Sequence, residues 1–450
     1  MNSLYKIKKG LDLRLEGEAQ QTLKRLPLSD VYAIVPDNFE GLSPRLLVKE
    51  GDSVKAGSPL FVDKATGQIN VVAPVSGTVK AVVRGERRKL LRIEIATNGT
   101  IEFVDHARLA ENATVEEVKE ALLKSGLFAF IKQRPYDVVA AATDTPKAIF
   151  VSAFSKMPLA ASFSYVAEGQ EEDFKAGIAL LSKIAQVHVG ICPDQINTDL
   201  LPTHEAKVSV FDGPNPSGNV GVHINRISPI NKGEIVWTLG AEAVVFIGRF
   251  AKTGQVNLTR RIAVAGSQVV NPCYVETFIG APLQAVLQNN VKNSDKHQRI
   301  INGNPLVGVK AEKDDFLGAF NTEVCVIPEG DDVNELFGWI MPRTHEFSTS
   351  RSYFSWLFGK NKTYDLDCRI KGGERHIIMS GEYDRVFPMD IFAGYLIKAI
   401  ITGDIDRQEA LGIYEVAPED FAVAEFVDSS KLDLQRIVRE GLDVLRKENA

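Results

Sequence analysis

Between residues 31 and 105 the apolar residues come in short runs broken by turn formers. LLVKEGDSVKAGSPLFV puts Val48, Val54, Leu60 and Val62 on strands, with turn signals at Gly51-Asp52 and Gly57. NVVAPVSGTVKAVVRG repeats the style with Pro74 and Gly77, and LRIEIAT at 91–97 alternates with period two. These runs predict a small all-β domain. At Thr114 the period changes. Thr114 as N-cap and Glu117 three residues on make a capping box, Val115, Val118 and Leu122 form an apolar stripe, and Gly126 is a natural stop.

From 136 to 250 strands and helices alternate. YDVVAAAT, KAIFVSAF and VHVGIC read as strands, and EEDFKAGIALLSKIA as a helix with Phe174, Ile178, Leu181 and Ala185 on one face. This order predicts a mostly parallel, Rossmann-like sheet. FDGPNPSGNVGVHI reads as a Gly/Pro-rich loop leading into a further strand. TRRIAVAG and CYVETFIG predict a hairpin, and Pro282 opens a short helix over LQAVLQNN. The last 120 residues are loop-rich and end in helices at PMDIFAGYLIKAIIT, PEDFAVAEFV and SSKLDLQRIVREGLDVL, where Leu434, Val438, Leu442 and Leu445 recur at helical spacing.

A chain of 450 residues implies two to four domains. Hydrophobic content of 44% and charged content of 24% are those of a globular protein. The net charge of −6, with both signs interspersed, argues against a nucleic-acid partner. No apolar stretch follows the basic residues of MNSLYKIKKGLDL, so no signal peptide is read there. The longest apolar run, Ile391–Ile401, contains Lys398 and falls short of the roughly 20 residues a spanning helix needs. Cys192, Cys273, Cys325 and Cys368 lie far apart and form no C-x-x-C, so neither an iron–sulfur cluster nor a zinc ribbon can be written from local spacing.

Candidate chemistry starts at Lys64. In FVDKATGQINVVAPVSGTV a D-K-A at a hairpin tip, followed by P-x-x-G, is how lipoyl-carrying domains present their modified lysine. Gly67 breaks the hairpin soon after the turn, and an ordinary exposed lysine is the favoured reading. The loop SGLFAFIKQRPYD, 125–137, lies where a nucleotide phosphate would be cradled by glycines. It has only Gly126 and is filled by Phe128, Phe130, Ile131 and Gln133, which predicts no phosphate cradle; Lys132 and Arg134 are expected to be solvated charges. GPNPSGNVG, 213–221, fits neither G-x-G-x-x-G nor a P-loop, and is read as a turn or a pocket edge. Histidines 106, 188, 204, 223, 297, 345 and 376 show no metal-ligand spacing. No G-x-S-x-G exists. THEFSTSRSYFSWLFGK, 344–360, sets Phe347, Tyr353, Phe354, Trp356 and Phe358 among Arg351 and Lys360, and suits contact with a partner or a membrane surface.

IKKGLDL, FVDKATGQINVVAPVSGTV, SGLFAFIKQRPYD, AIFVSAFSKMPLAA, GPNPSGNVGVHI, LFGWIMPRTHEFSTSRSYFS and GEYDRVFPMDIF, in this order and spacing, resemble the A subunit of sodium-translocating NADH:quinone oxidoreductases. That family is similar in turn to the C subunit of the Rnf complex and to the flavin-bearing subunit of respiratory complex I. The resemblance implies four domains: an N-terminal segment with a lipoyl-like barrel-sandwich domain (1–105), a Rossmann-like α/β domain (106–255), a β-grasp ligand-binding domain of the SLBB type (256–330) and a loop-rich, helical C-terminal domain (331–450). It also implies a peripheral subunit on the cytoplasmic face of a bacterial inner membrane, within a six-subunit complex that passes electrons from NADH through flavins and iron–sulfur centres to a quinone and exports Na⁺. The cysteines that hold clusters in the relatives are missing here, so this chain is expected to bind neither flavin nor cluster. A quinone slot is expected at Phe154, Met157, Pro158, Asn215, Ser217 and His223, and docking on a membrane subunit through Phe347, Arg351, Tyr353, Phe354 and Trp356. A flavin-dependent dehydrogenase module, a lipoyl or biotin carrier and a ligand-free scaffold are the competing readings.

Overall fold

The computed structural model describes residues 3–110, 112–201, 205–294, 297–331, 337, 340–359, 362–378 and 381–449, so His204, Lys360 and part of LFGWIMP lie outside the described residues. The chain opens with two isolated strands, β1 (Ser3–Lys6) and β2 (Leu23–Arg25), that join sheets formed much later in the sequence. Seven short strands follow: β3 (Val31–Ile34), β4 (Pro44–Leu46), β5 (Ser53–Val54), β6 (Pro59–Asp63), β7 (Asn70–Val72), β8 (Gly77–Arg84) and β9 (Leu90–Ala96). They make a four-stranded sheet, β3-β9-β8-β5, against a three-stranded one, β4-β6-β7. Lys64 sits exposed at the β6–β7 turn. The preceding Asp63 is buried and holds the turn, its carboxylate accepting from Ser43 N at 3.0 Å and from Thr66 N and Oγ1 at 2.9 Å. Burial works to raise that carboxyl's pKa, but these donors outweigh it and hold it below the usual range.

Helix α1 (Val115–Ser125) has the expected capping box between Thr114 and Glu117 and ends at Gly126 with φ of 75°, a conformation glycine adopts without strain. Val118 and Leu122 are buried and Val115 half-buried. Then come β10 (Lys132–Arg134), β11 (Val138–Val139), β12 (Ile149–Ser152), α2 (Phe163–Val166), α3 (Glu171–Ser182), β13 (Val187–Ile191), β14 (Ala206–Asp212), α4 (Val220–Ile227), β15 (Val236–Gly240) and α5 (Ala241–Thr253). The strands form one sheet in the order β1-β14-β13-β12-β15-β10-β11. The first five are mutually parallel, and β10 and β11 add an antiparallel edge. The segment VGVHI is a helix, α4, not the expected strand. Its apolar residues Val220, Val222 and Ile224 alternate as in a strand, but Asn219 starts a helix whose buried face packs under the sheet.

The third unit contains β16 (Thr259–Ala265), β17 (Cys273–Phe278), α6 (Leu283–Val286), β18 (Gln298–Asn302), β19 (Val309–Ala311) and β20 (Glu323–Pro328), with strand order β19-β18-β20-β16-β17-β2. The expected β16–β17 hairpin forms with Thr259 opposite Phe278. The C-terminal part holds α7 (Glu382–Val386), α8 (Ala393–Ile401), α9 (Ile405–Ala410), α10 (Ala422–Val427) and α11 (Leu434–Glu448). Leu434, Val438, Leu442 and Leu445 are all fully buried against the underside of the α/β sheet and against α8. One apolar core runs continuously from the barrel strands through the α/β sheet to the third sheet. No helix among the described residues is long and apolar enough to cross a membrane.

Candidate functional site

In the α/β sheet the order reverses at β12: β13 and β14 lie on one side of it and β15 on the other. In open α/β sheets a crevice opens outside the carboxyl ends of the strands at such a reversal. Here it has a volume of about 340 Å3. Ser152, at the end of β12, ties its two loops together: its Oγ lies 2.9 Å from Phe154 O and 2.7 Å from Gly218 O. A Cβ on Gly218 would stand 3.0 Å from Phe154 O, so the close approach of the loops depends on glycine there. The opposite end of the floor is the β15–α5 junction at Gly240, and the far wall comes from the third sheet's loops at 303–308 and 319–323.

The walls are largely aromatic and apolar: Phe130, Phe154, Met157, Phe163, Phe246 and Phe320. Phe130 meets Phe246 at 5.8 Å and Phe320 at 5.6 Å between ring centres. The charges are mostly negative. Asp137, Glu242, Glu323 and Glu419 face Lys132, the only Lys or Arg among the lining residues. Lys132 stands 3.4 Å from Asp137 and 5.5 Å above the Phe320 ring. Glu242 pairs with the buried Arg260, whose guanidinium also donates to Gly318 O and Ala319 O at 3.1 Å. Burial raises the Glu242 carboxyl despite that cation. Glu323 accepts from Thr322 Oγ1 at 2.7 Å and Asn304 Nδ2 at 3.2 Å. Desolvation and the adjacent Asp420 push the Glu419 carboxyl up against the pull of Arg134. Asp137, Glu242 and Glu419 are each paired with a cation, so the lining offers a phosphate no unpaired Lys or Arg and tolerates a neutral ring.

Of the residues read from the sequence, Phe154 and Met157 line the crevice, and Pro158 is buried beside Met157. Asn215, Ser217 and His223 lie beneath the floor, each almost fully buried, and do not line it. His223 is clamped between Phe211 at 4.0 Å and Phe154 at 5.7 Å, over Gly190, where any Cβ would collide with the imidazole at 2.3 Å. Its Nε2 donates to Ser217 O at 2.9 Å, and burial, against that bond, holds its pKa down to about 4. It is a neutral support behind Phe154. The 127–130 loop is a 3-10 turn with Leu127, Phe128, Ala129 and Phe130 all buried, Phe128 standing edge-on to Trp237 at 5.4 Å. Arg134 is not the solvated charge expected. It is fully buried and bonded to Asp420 at 2.7 Å, Glu419 at 3.2 Å and Glu415 O at 2.6 Å, because the C-terminal part folds over it. In the aromatic segment Phe347 turns inward onto Tyr364 and Phe426, Tyr353 accepts from Arg343, and Phe354, Trp356 and Arg351 are exposed. Sequence reading missed Ser152, Asn219, Glu242, Asn304, Phe320 and Glu323. The β15–α5 junction LGAEA, a strand running straight into a helix, was the available signal for Glu242; the third-domain residues carry none. Among the described residues no group of three or more His, Cys, Asp or Glu is placed to hold a metal ion.

Barrel-sandwich strands, an α/β sheet with a crevice where its order reverses, and a helical C-terminal part define a multidomain α/β protein. Family models match at residues 5–98 (NqrA N-terminal barrel-sandwich hybrid domain), 113–256 (NqrA second alpha/beta domain) and 261–313 (NQRA C-terminal domain). The A subunit of Na(+)-translocating NADH-quinone reductase from Neisseria meningitidis serogroup A is 36% identical over 456 residues, covering 99% of this chain and all of that protein. The proteins of the same name from Serratia proteamaculans and Photorhabdus laumondii are 35% and 36% identical over 99% of this chain and their full lengths. The crystal structure of an NAD+-reducing NiFe hydrogenase is similar over 51% of this chain and 52% of that one, at 13% identity and a TM-score of 0.34, too remote to carry an argument. The chain belongs to the family formed by the A subunit of Na(+)-translocating NADH-quinone reductase.

Proposed function

We propose that this chain works as the peripheral A subunit of a six-subunit membrane complex that oxidises NADH, reduces a quinone and exports Na⁺, and that, on the cytoplasmic face of a bacterial inner membrane, it docks on a membrane subunit. The observation that carries this is similarity to the A subunits of such reductases over 99% of the chain and the whole of each relative. In this reading the α/β sheet is Rossmann-like, the third unit is a β-grasp module, and the domain limits are 1–105, 106–255, 256–330 and 331–450. The Rossmann-like reading is supported by the five parallel strands with a reversal at β12.

The chain holds neither flavin nor iron–sulfur cluster. Phe128 and Phe130 fill the turn at 127–130, and the only Lys or Arg lining the crevice, Lys132, is already paired with Asp137, which leaves a phosphate no cation to meet. The crevice takes the quinone headgroup: a neutral ring fits between Phe154, Met157, Phe246 and Phe320, and carbonyl oxygens can accept from Lys132 and from backbone N–H groups at the start of α5. Of the residues behind the floor, His223 then holds Phe154 by stacking on it and is itself bonded to Ser217 O, while Asn215 takes no part in that contact.

The purified chain should be colourless and bind a quinone analogue saturably, with Phe154→Ala weakening binding about tenfold or more, as loss of a buried aromatic contact implies. Absence of saturable binding, or binding unchanged by Phe154→Ala, overturns the quinone assignment. A yellow protein overturns the claim that it holds no flavin, and failure to co-purify with a membrane complex overturns the subunit reading.

A further inference from the structure

We propose that residues 340–359, together with Lys362, form a lipid-contact surface that seats this chain on an anionic bilayer. The inference rests on the reading that the chain works at a membrane, and adds the surface and the chemistry that do it. Ile340, Met341, Phe354, Trp356, Leu357 and Phe358 are 48% to 63% exposed, which is unusual for six large apolar residues in one short segment. They are contiguous: Phe354 N donates to Pro342 O at 3.1 Å, bringing Ile340 and Met341 beside the 3-10 turn Phe354–Phe358. The inner side of the segment is fixed. Phe347 meets Tyr364 edge-on at 5.3 Å and the tilted ring of Phe426 of α10 at 5.9 Å, and Ser355 is buried. The exposed rings therefore belong to an anchored face.

Charge complementarity selects the occupant. Residues 337–362 carry Arg343, Arg351, Lys360 and Lys362 against Glu346 alone, in a chain of net charge −6. Of the acids before the segment, Glu329 pairs with Arg299 and Asp331 with His297, while Asp332 and Glu335 lie outside the described residues. Cations sit over the rings: Arg351 lies 5.6 Å from the Trp356 centre and Lys362 lies 5.2 Å from that of Phe358. Trp356, one of the three tryptophans of the chain, falls in this stretch. Aromatic rings with cationic heads beside them match the headgroup layer, where the ring enters the acyl boundary and the cation meets lipid phosphate. Among residues 340–359 no strand forms that could add to a partner's sheet.

The test uses the full purified chain with sedimented vesicles of phosphatidylglycerol or of phosphatidylcholine. Binding is expected to phosphatidylglycerol only, to fall steeply with salt, and to weaken about fivefold for each cation removed in Arg351→Ala and Lys362→Ala. Trp356→Ser with Phe358→Ser should abolish it; Arg351, Trp356 and Phe358 are exposed, so their variants should remain folded, and the urea midpoint of Lys362→Ala, where a half-buried side chain bonded to Thr344 O is lost, separates lost binding from lost folding. No binding to phosphatidylglycerol at low salt, or binding unchanged by both sets, overturns the proposal. If vesicles fail to bind while Trp356→Ser with Phe358→Ser releases the chain from its membrane complex, the face docks a protein and the lipid inference is wrong, with the subunit reading intact. Vesicle binding by a chain that never co-purifies with a complex supports the surface and sinks the subunit reading.

Discussion

Arg134 brings a full charge into a place without water. Its two terminal nitrogens are met by Asp420, Glu419 and the Glu415 carbonyl, all supplied by the C-terminal part, while Nε is buried without a partner. Removing one partner of a buried pair leaves the other charge uncompensated, so Arg134→Ala should cost about 3–5 kcal/mol, read from the urea midpoint. Arg134→Met combined with Asp420→Asn should cost distinctly less, since the only carboxylate left without its cation is Glu419, which reaches solvent; equal losses would show that the pair with Asp420 is not what is being broken. His223 makes a pH argument. An unfolded imidazole protonates near 6.5, while in the fold burial holds this one to about 4. Between those values the unfolded state binds more protons, so the contribution is complete above pH 6.5 and is lost as pH falls to 4, by about 3 kcal/mol. His188, stacked on Phe150 and also lowered to about 4 by burial, works in the same window. His223→Phe should therefore flatten part of the acid slope of stability and leave the part due to His188; an unchanged slope would show that His223 is not held neutral. Neither role was legible in the sequence. Arg134 looked like a surface charge because its partners stand about 280 residues away, and His223 looked like a ligand donor because its cover, Phe154 and Phe211, comes from two other strands' ends.

At the scale of the element, local rules served best where local contacts decide. The Thr114–Glu117 box and the Leu434–Leu445 spacing are interactions within one helix, and both helices form where the pattern puts them. The α4 segment failed because an eight-residue helix with alternating valines carries too few turns to separate period 3.6 from period two. The contact between α3 and α5 was also invisible, since it is made by what is missing. Gly177 and Gly248 let the two backbones touch: a Cβ on Gly248 would lie 1.6 Å from Asp173 O, and one on Gly177 2.1 Å from Val244 O. Lone glycines in helices read only as a small loss of propensity. Gly248→Ala should gain that propensity and still destabilise the chain, by about 1–3 kcal/mol, because the helices must part. Thermal unfolding checks the sign; a stabilised variant would mean that the helices shift freely.

At the scale of the whole molecule, the first 25 residues decide how the units hold together. β1 pairs in parallel with β14, Ser3 opposite Ser209, and Tyr5 stacks on Phe211 at 5.0 Å. Gly10 N bonds to Arg385 O, Glu16 N to Tyr364 O and Gly17 O to Gly266 N. β2 then completes the third sheet beside β17. One extended strip thus touches the α/β sheet, the C-terminal part and the third sheet before the barrel strands begin. Pairings over 200 residues leave no periodic mark in a short extended segment, which is why IKKGLDL could be recognised by resemblance but not placed by pattern. Ile7, Leu13 and Leu15 are buried along it, and at about 1.5–3 kcal/mol per fully buried side chain their loss amounts to on the order of 5 kcal/mol. Deleting residues 1–26 would also open the edges of β14 and β17 to other chains. The barrel sheets use none of these residues. The truncated chain should therefore lose its later units first: limited proteolysis is expected to cut between 200 and 400 while a fragment covering 31–98 survives, and the shortened protein should aggregate more readily. Uniform resistance to protease, matching the full chain, would show that the strip decorates units already locked together by the core they share.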